Sequence, residues 1–434
     1  MTAIGGFIGL GAFFVLMALQ VPVAISMAFV SFAGIWLLFG MAPAIGVLAN
    51  TPYELISSWT LSAVPMFLLM GFVAYYSKLT VGMFDAAKVA LQKVPGGLGI
   101  AAILACSGFA AVCGSSLATS ASMGRISIPE MVKAGYKPGF AAGALAAGGT
   151  IGALIPPSIM MIIYGVFAET SVTKLFVGGM TVGIMTAISY VIVIGLVARY
   201  RKDIIPATPI GLDQIHGPAA LKAVVPIVLL ILLIFGGLFS GLFTATEAGA
   251  VGAAGSIVLA AFAGRLSWDV IRSSVLDTLG TCASLFIVGI AAVMFTKFLG
   301  LSGVAGIISG AALGPGLDYL TLMLIIVVIY LVLGMFMEPF GAMLVTLPVL
   351  LPILHAQNLD LVWFGVFVVK MLEIGMITPP LGMNVFVIRN VAAEYATLPE
   401  IFRGVALFLA ADMIVVLLIV LFPSIVMFLP NLLQ

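Results

Sequence analysis

The sequence predicts an all-α polytopic membrane protein made of two inverted repeats, each with a re-entrant hairpin and a broken transmembrane helix. Three observations carry that prediction. The chain has 434 residues, of which 63% are hydrophobic and 8% charged, against about 25% charged in soluble domains. No soluble fold can hide so much apolar surface. Gly152-Ala153-Leu154-Ile155-Pro156-Pro157 interrupts a long apolar segment, and Gly375-Met376-Ile377-Thr378-Pro379-Pro380 does the same 223 residues later, 379 against 156. Proline has no N–H and clashes with the preceding turn, so each helix must break. The offset also holds upstream, where Pro129 matches Pro352, each 27 residues before its Pro-Pro pair.

Taken in order, residues 4–19 and 23–39 are two apolar spans divided by Gln20-Val21-Pro22. Met1-Thr2 offers no basic leader, so the first segment is expected to be retained rather than cleaved. Residues 42–58 are mixed and expected at a surface, and 61–76 form a third span. Residues 78–93 alternate apolar positions with Lys78, Asp85, Lys88 and Lys93, the pattern of a helix lying along the interface. Residues 97–113 and 117–131 flank Gly114-Ser115-Ser116. Each flank falls short of the ~20 residues a span needs, so together they read as a re-entrant hairpin. Residues 139–151 and 158–168 are the halves of the first broken helix, and 176–198 is a full span.

The polar stretch 199–218, with Arg199, Arg201, Lys202, Asp203, Asp213 and His216, reads as the linker between halves. Spans follow at 223–242 and 245–263, an interfacial turn or short helix at 265–277, a span at 279–298 and a surface segment at 300–313. Residues 319–337 and 340–354 form the second hairpin around Glu338-Pro339. Residues 361–374 and 381–391 form the second broken helix, and 405–429 is the last span. The expected bodies are therefore 1–96 (the first spans and arm), 97–175 (first hairpin and broken helix), 176–317 (spans, linker and second arm), 318–391 (second hairpin and broken helix) and 392–434 (final span).

An odd number of crossings per half inverts the second half. With the linker cytoplasmic, Lys78, Lys88, Lys93, Lys133, Lys137, Lys222, Arg265, Arg272, Arg389 and Arg403 fall on or near that side, while Lys174 falls outside and Lys297 near the outer end of its span. This follows the positive-inside rule and leaves both termini outside.

Chemistry is expected where the helices break. Freed carbonyls and hydroxyls suit a hard cation. The first hairpin tip adds Ser115, Ser116 and Thr119, and the second adds Glu338 and Gly341. Glu338 could face an ion, a proton or water at a helix start. Arg125, on the first hairpin, is a candidate anion contact or a snorkelling cation. Asn384 reads as a ligand contact or a helix–helix hydrogen bond. Lys370 and Glu373, three apart, are expected to pair with each other. Glu247 reads as helix-start chemistry after Thr244, and Asp412 as a structural hydrogen bond or a subunit contact. Cys106, Cys113 and Cys282 lack paired or metal spacing and read as buried thiols. There is no phosphate-binding loop and no nucleophile elbow, so neither an ATP site nor an enzyme is expected. Nothing points to nucleic acid, and the solvent of most of the chain is the lipid bilayer. Paired breaks suit alternating access better than a fixed pore.

Ala118-Thr119-Ser120-Ala121, Ile128-Pro129-Glu130-Met131, the stretch from Gly152 to Ser158, Phe243-Thr244-Ala245-Thr246-Glu247-Ala248 and Thr378-Pro379-Pro380-Leu381-Gly382-Met383-Asn384 strongly resemble the large membrane subunit of tripartite ATP-independent periplasmic (TRAP) transporters. The resemblance covers essentially the whole chain. It implies a sodium-coupled elevator transporter of the bacterial inner membrane, in which the hairpins and broken helices move against a helical scaffold. It also implies a periplasmic binding protein that delivers an organic anion, and a separate small subunit of four membrane helices. Sodium ions are the only cofactor-like species implied. One would sit between Ser115 and the carbonyls of Gly152, Ile155 and Pro157. A second would sit at Gly375, Thr378 and Pro380, beside Glu338 and Gly341. Substrate would meet Ser116, Thr119, Arg125, Ser158 and Asn384. Arg125 departs from the small residue the family resemblance leads one to expect there, which leaves substrate identity open. The rival readings are a stand-alone ion-coupled anion transporter and a non-transporting membrane scaffold.

Overall fold

The 223-residue offset governs the secondary structure. The structure, a computed structural model, describes residues 2–206, 217–312 and 318–432. Its first half runs α1 (Thr2–Ala18), α2 (Val23–Phe39), α3 (Met41–Ile56), α4 (Ala63–Tyr76), α5 (Gly82–Leu91), α6 (Gly97–Cys113), α7 (Ser116–Lys133), α8 (Pro138–Thr150), α9 (Ile159–Phe167) and α10 (Val172–Tyr200). The second runs α11 (Gly217–Phe239), α12 (Ala245–Phe262), α13 (Trp268–Ser302), α14 (Val304–Ala312), α15 (Tyr319–Phe336), α16 (Pro339–Ala356), α17 (Leu361–Gly375), α18 (Met383–Val391), α19 (Leu398–Leu421) and α20 (Ser424–Leu432). Adding 223 to the ends of α7 gives 339 and 356, the ends of α16. The same shift carries α6 onto α15, α8 onto α17 and α9 onto α18 to within two residues. Among the described residues, seven helices are long and apolar enough to cross a membrane, or eight if the α3–α4 pair is one span. The chain is an all-helical, multi-pass membrane protein. Asp213 and His216 of the linker lie outside the described residues.

One pair of segments departs from the repeat. In the first half α3 and the run into α4 meet at a 61° bend. In the second half the equivalent stretch is the single 35-residue helix α13. The expected division into 265–277 and 279–298 is therefore corrected. The junction around Gly280 holds no proline, and one glycine costs a helix only about 1 kcal/mol. Ser267 caps the start, its Oγ accepting from the Val270 N–H at 3.3 Å. Gly303 ends the helix at φ +80°. At about 1.5 Å per residue, α13 exceeds the ~30 Å hydrocarbon core and carries the surface segment expected at 265–277 as its own first turns. The last span, expected over 405–429, is likewise divided, because Pro423 ends α19 and α20 begins after it.

Packing separates two groups of helices. α2 packs on α13, α13 on α4 and α4 on α12, with α3 against α13 and α11 against α12. α6, α7 and α8 form a second group with α17, α18 and α19. α10 packs on α6, α9, α17, α19 and α20, and α19 on α8, α10, α17 and α18. Small residues explain the close fit. A Cβ on Gly143 would lie 2.5 Å from the Gly404 carbonyl carbon, and one on Gly404 would lie 2.0 Å from the Gly139 oxygen. α8 and α19 thus touch backbone to backbone. The arm α5 is tied to α7 by Lys88–Glu130 at 2.8 Å. Beyond α10, Asp203 accepts from Arg201 and Lys137, and these two cations hold its carboxyl well below the usual carboxylate range.

Candidate functional site

The first hairpin tip closes on the first break. Pro156 and Pro157 cannot donate to the carbonyls of Gly152 and Ala153, four residues earlier, so those oxygens lose their helical partners. The N–H groups of Leu154 and Ile155 both turn back to the Ile151 carbonyl, at 3.0 Å each. Gly114 ends α6 at φ +62°, and a Cβ there would lie 2.2 Å from the Pro157 carbonyl oxygen. A Cβ on Gly152 would lie 2.9 Å from both the Ser115 carbonyl oxygen and the Thr119 Oγ1. Four expected residues, Ser115, Thr119, Gly152 and Pro157, are therefore brought together, with oxygens from both sides. The Ser115 Oγ accepts from the Ala118 N–H at 3.5 Å, and the Thr119 hydroxyl donates to the Ser115 carbonyl at 2.8 Å. Ile155 is buried beside them and packs on Gly183 of α10.

The second break is assembled differently. Gly375 meets Gly334, a turn short of the hairpin tip, and a Cβ on Gly375 would lie 2.5 Å from the Gly334 Cα. The Thr378 hydroxyl donates to the Ile374 carbonyl at 2.7 Å, and its N–H donates to Gly375 at 3.1 Å. The Asn384 N–H donates to the Met376 carbonyl at 3.0 Å. Gly375 and Thr378 are thus at the break. Gly341 instead faces Val23 of α2, 3.3 Å from where its Cβ would be, and Pro380 is exposed.

Between the tips lies a cavity of about 300 Å³. Ser115 and Ser116 of the first tip, Glu338 and Phe340 of the second, Glu373 of α17 and Met376 just beyond it line the cavity. α4 closes it through Leu68, Gly71 and Phe72, and α13 through Thr281, Ser284 and Leu285. The cavity therefore sits on the boundary between the two groups of helices. Ser116 and Glu338 are the expected residues that reach it beside Ser115. Ser158 is buried as the cap of α9, accepting from the Met161 N–H at 3.3 Å. Asn384 donates to the Ala146 carbonyl at 3.4 Å and ties α18 to α8. Arg125 is exposed on α7 and is not part of the lining.

The expected Lys370–Glu373 pair is corrected. Lys370 bonds Asp412 of α19 at 2.5 Å and Thr186 of α10 at 3.1 Å. Tyr190 donates to the other Asp412 oxygen at 2.7 Å and meets Thr150, just before the first break, at 3.2 Å. Lys370 and Asp412 are fully buried, which makes Asp412 a structural partner rather than a subunit contact. Spacing of three along α17 permits a Lys370–Glu373 pair, but tertiary packing offered Lys370 a carboxylate from another helix. Glu373 was missed as a cavity residue, although a carboxylate two positions before the break glycine was the available signal. Glu247 does form helix-start chemistry, a capping box with Thr244.

Residues 10–425 match the family described as "Tripartite ATP-independent periplasmic transporter, DctM component". The C4-dicarboxylate TRAP transporter large permease protein DctM of Pseudomonas aeruginosa is 34% identical over 385 residues, 88% of this chain and 89% of that protein. The isethionate TRAP transporter permease protein DctMQ of Oleidesulfovibrio alaskensis is 33% identical over 96% of this chain, which spans only 65% of that protein. Among solved structures, the YdaH transporter of Alcanivorax borkumensis shares the fold, with TM-score 0.63, 14% identity and 89% of each chain covered. The chain belongs to the DctM family of TRAP transporter large permeases. It is a transporter component and not an enzyme.

Proposed function

We propose that this DctM-family permease performs sodium-coupled uptake of a small organic acid, received from a periplasmic binding protein and moved by an elevator motion of its two hairpins and two broken helices. The observation that carries the reading is the cavity, bounded by both hairpin tips, α17 and scaffold helices α4 and α13. A solute held there lies on the boundary along which one body would slide past the other. The relatives' names cite C4-dicarboxylates and isethionate, both organic anions, which supports a substrate of that class. A small membrane subunit is the second partner expected of a permease of this family.

Oxygen-only donors at the first break suit sodium. With sodium bound, Gly152 and Pro157 hold the tip and Ser116 is fixed at the cavity. Ion and substrate then raise each other's affinity by the same factor. The second ion would rest on Gly375 and Thr378. The chain would lie in the bacterial inner membrane with both termini periplasmic. Labelling single cysteines at Thr173 and at Lys202 checks the topology, since opposite-side accessibility is expected.

The deciding experiment is uptake in proteoliposomes holding this chain and its small subunit, with and without sodium and with and without the binding protein. Uptake is expected only with both. Uptake driven by a proton gradient without sodium would overturn the coupling.

A further inference from the structure

We propose that the cavity between the hairpin tips contains a cation subsite built on Glu373, separate from the two helix breaks, that takes a monovalent metal ion or an alkylammonium group. The inference rests on the transporter reading above and adds a third positively charged ligand to it.

Glu373 is 1% exposed, lines the cavity, and its Oε2 has no partner among the described residues. A desolvated carboxylate with an oxygen left unpartnered is costly, so native structures pair it, bond it to a cation or neutralise it. The nearest basic residue along its helix is Lys370, three positions earlier. That ammonium is engaged by Asp412 and Thr186, on α19 and α10. The Lys370–Asp412 pair is neutral as a unit, so Lys370 gives Glu373 no ion pair of its own.

The surroundings favour a cation rather than an anion. No lysine, arginine or histidine lines the cavity among the described residues, whereas a second carboxylate, Glu338, does so from the opposite tip. The Ser116 hydroxyl lies beside the Glu373 carboxylate and supplies a further oxygen. Oxygen donors with formal negative charge suit a hard monovalent ion. Phe72 and Phe340 add aromatic surface of the kind that favours an alkylammonium group. The subsite differs from the break sites, whose donors are backbone carbonyls and hydroxyls. It would add one positive charge to the loaded cavity and so help a substrate carboxylate to enter beside two acidic side chains.

The test is thermal unfolding of the purified chain, titrated with sodium chloride in one arm and methylammonium chloride in the other, at ionic strength held constant with bulky N-methylglucamine chloride. Wild type, Glu373→Gln, and a Ser115→Ala Thr378→Ala double variant are compared. Glu373→Gln is expected to raise the stabilising cation's midpoint by about tenfold, the order of a lost charge-assisted contact. A sodium-only effect identifies a metal ion, and a methylammonium-only effect identifies an alkylammonium ligand. If Glu373→Gln responds as wild type does to both cations, the carboxyl is simply held neutral and the inference is overturned. It is overturned too if wild type responds to neither. A sodium response lost in the double variant but kept in Glu373→Gln overturns the inference and leaves the two break sites standing. Should Glu373→Gln not fold, Ser116→Ala must weaken the same response, and an unchanged midpoint there overturns the inference.

Discussion

At the first helix break every residue from 151 to 160 is buried, whereas at the second Pro379, Pro380 and Leu381 are exposed. The two breaks have matching positions and the same Pro-Pro pair, so the prolines do not set the difference. The hairpin tips do. Gly114, without a Cβ, lets the first tip approach the Pro157 carbonyl. At the equivalent position, 223 residues on, stands Met337, followed by Glu338 and Pro339. A methionine side chain forbids that approach, and the second hairpin instead touches its break through Gly334, a turn earlier. Duplication supplied the broken helix twice, and the residues at each tip decided which break is sealed.

The approach to each break also differs. α8 reaches the first one through small residues packed on α19. α17 reaches the second carrying Lys370, at the position that Ala147 fills in the first half. Lys370→Met should therefore give the largest effect, a loss of about 3–5 kcal/mol of stability, because Asp412 is left buried without a counter-charge. Thermal unfolding checks this, and Lys370→Met with Asp412→Leu should recover much of the loss. A mild effect of the single variant would mean that the second half needs no anchor.

Gly114→Ala comes next. It combines left-handed backbone, costing about 1–2 kcal/mol, with the collision at Pro157. Gly382→Ala, at φ +58° but with its nearest contact at 3.2 Å, should cost only the backbone term. Equal losses in the two variants would remove the distinction between a sealed and an open break.

Ser115→Ala and Thr378→Ala should each raise the sodium concentration for half-maximal uptake about fivefold, the order of one hydroxyl contact of roughly 1 kcal/mol, with normal protein yield. Unchanged sodium dependence in both would misplace the ion sites. A change only in Ser115→Ala would sharpen the comparison, since only the first tip closes on its break.

The smallest effect is expected of Arg125→Gln. Exposed and away from the cavity, it should stay within about 0.5 kcal/mol in stability and leave uptake near normal. A large loss of uptake would mean that another state brings this side chain to the substrate.

Much of the fold was legible because it depends on local chemistry. Prolines break helices wherever they fall, so both breaks and both hairpins stand where their residues predict. The Thr244–Glu247 capping box needs only three-residue spacing, and it too was legible. The continuity of α13 was less so. A polar patch at 265–277 looked interfacial, and only helix-on-helix packing decided that the chain runs straight through it.

Composition and the 223-residue repeat by themselves determined a membrane protein, its two halves, its breaks and the hairpin tip at Ser115, while the family resemblance added Gly152, Pro157, Gly375 and Thr378 as candidate residues. The tertiary structure alone decided which of them meet. It placed α10 and α19 against the broken helices, gave Lys370 to Asp412, turned Gly341 toward α2 and left one Glu373 carboxylate oxygen without a partner. The physical reason is range. Helix breaks and caps are fixed within a few residues of chain, whereas burial, ion pairing and tip closure depend on surfaces far apart in sequence, whose fit no local pattern records.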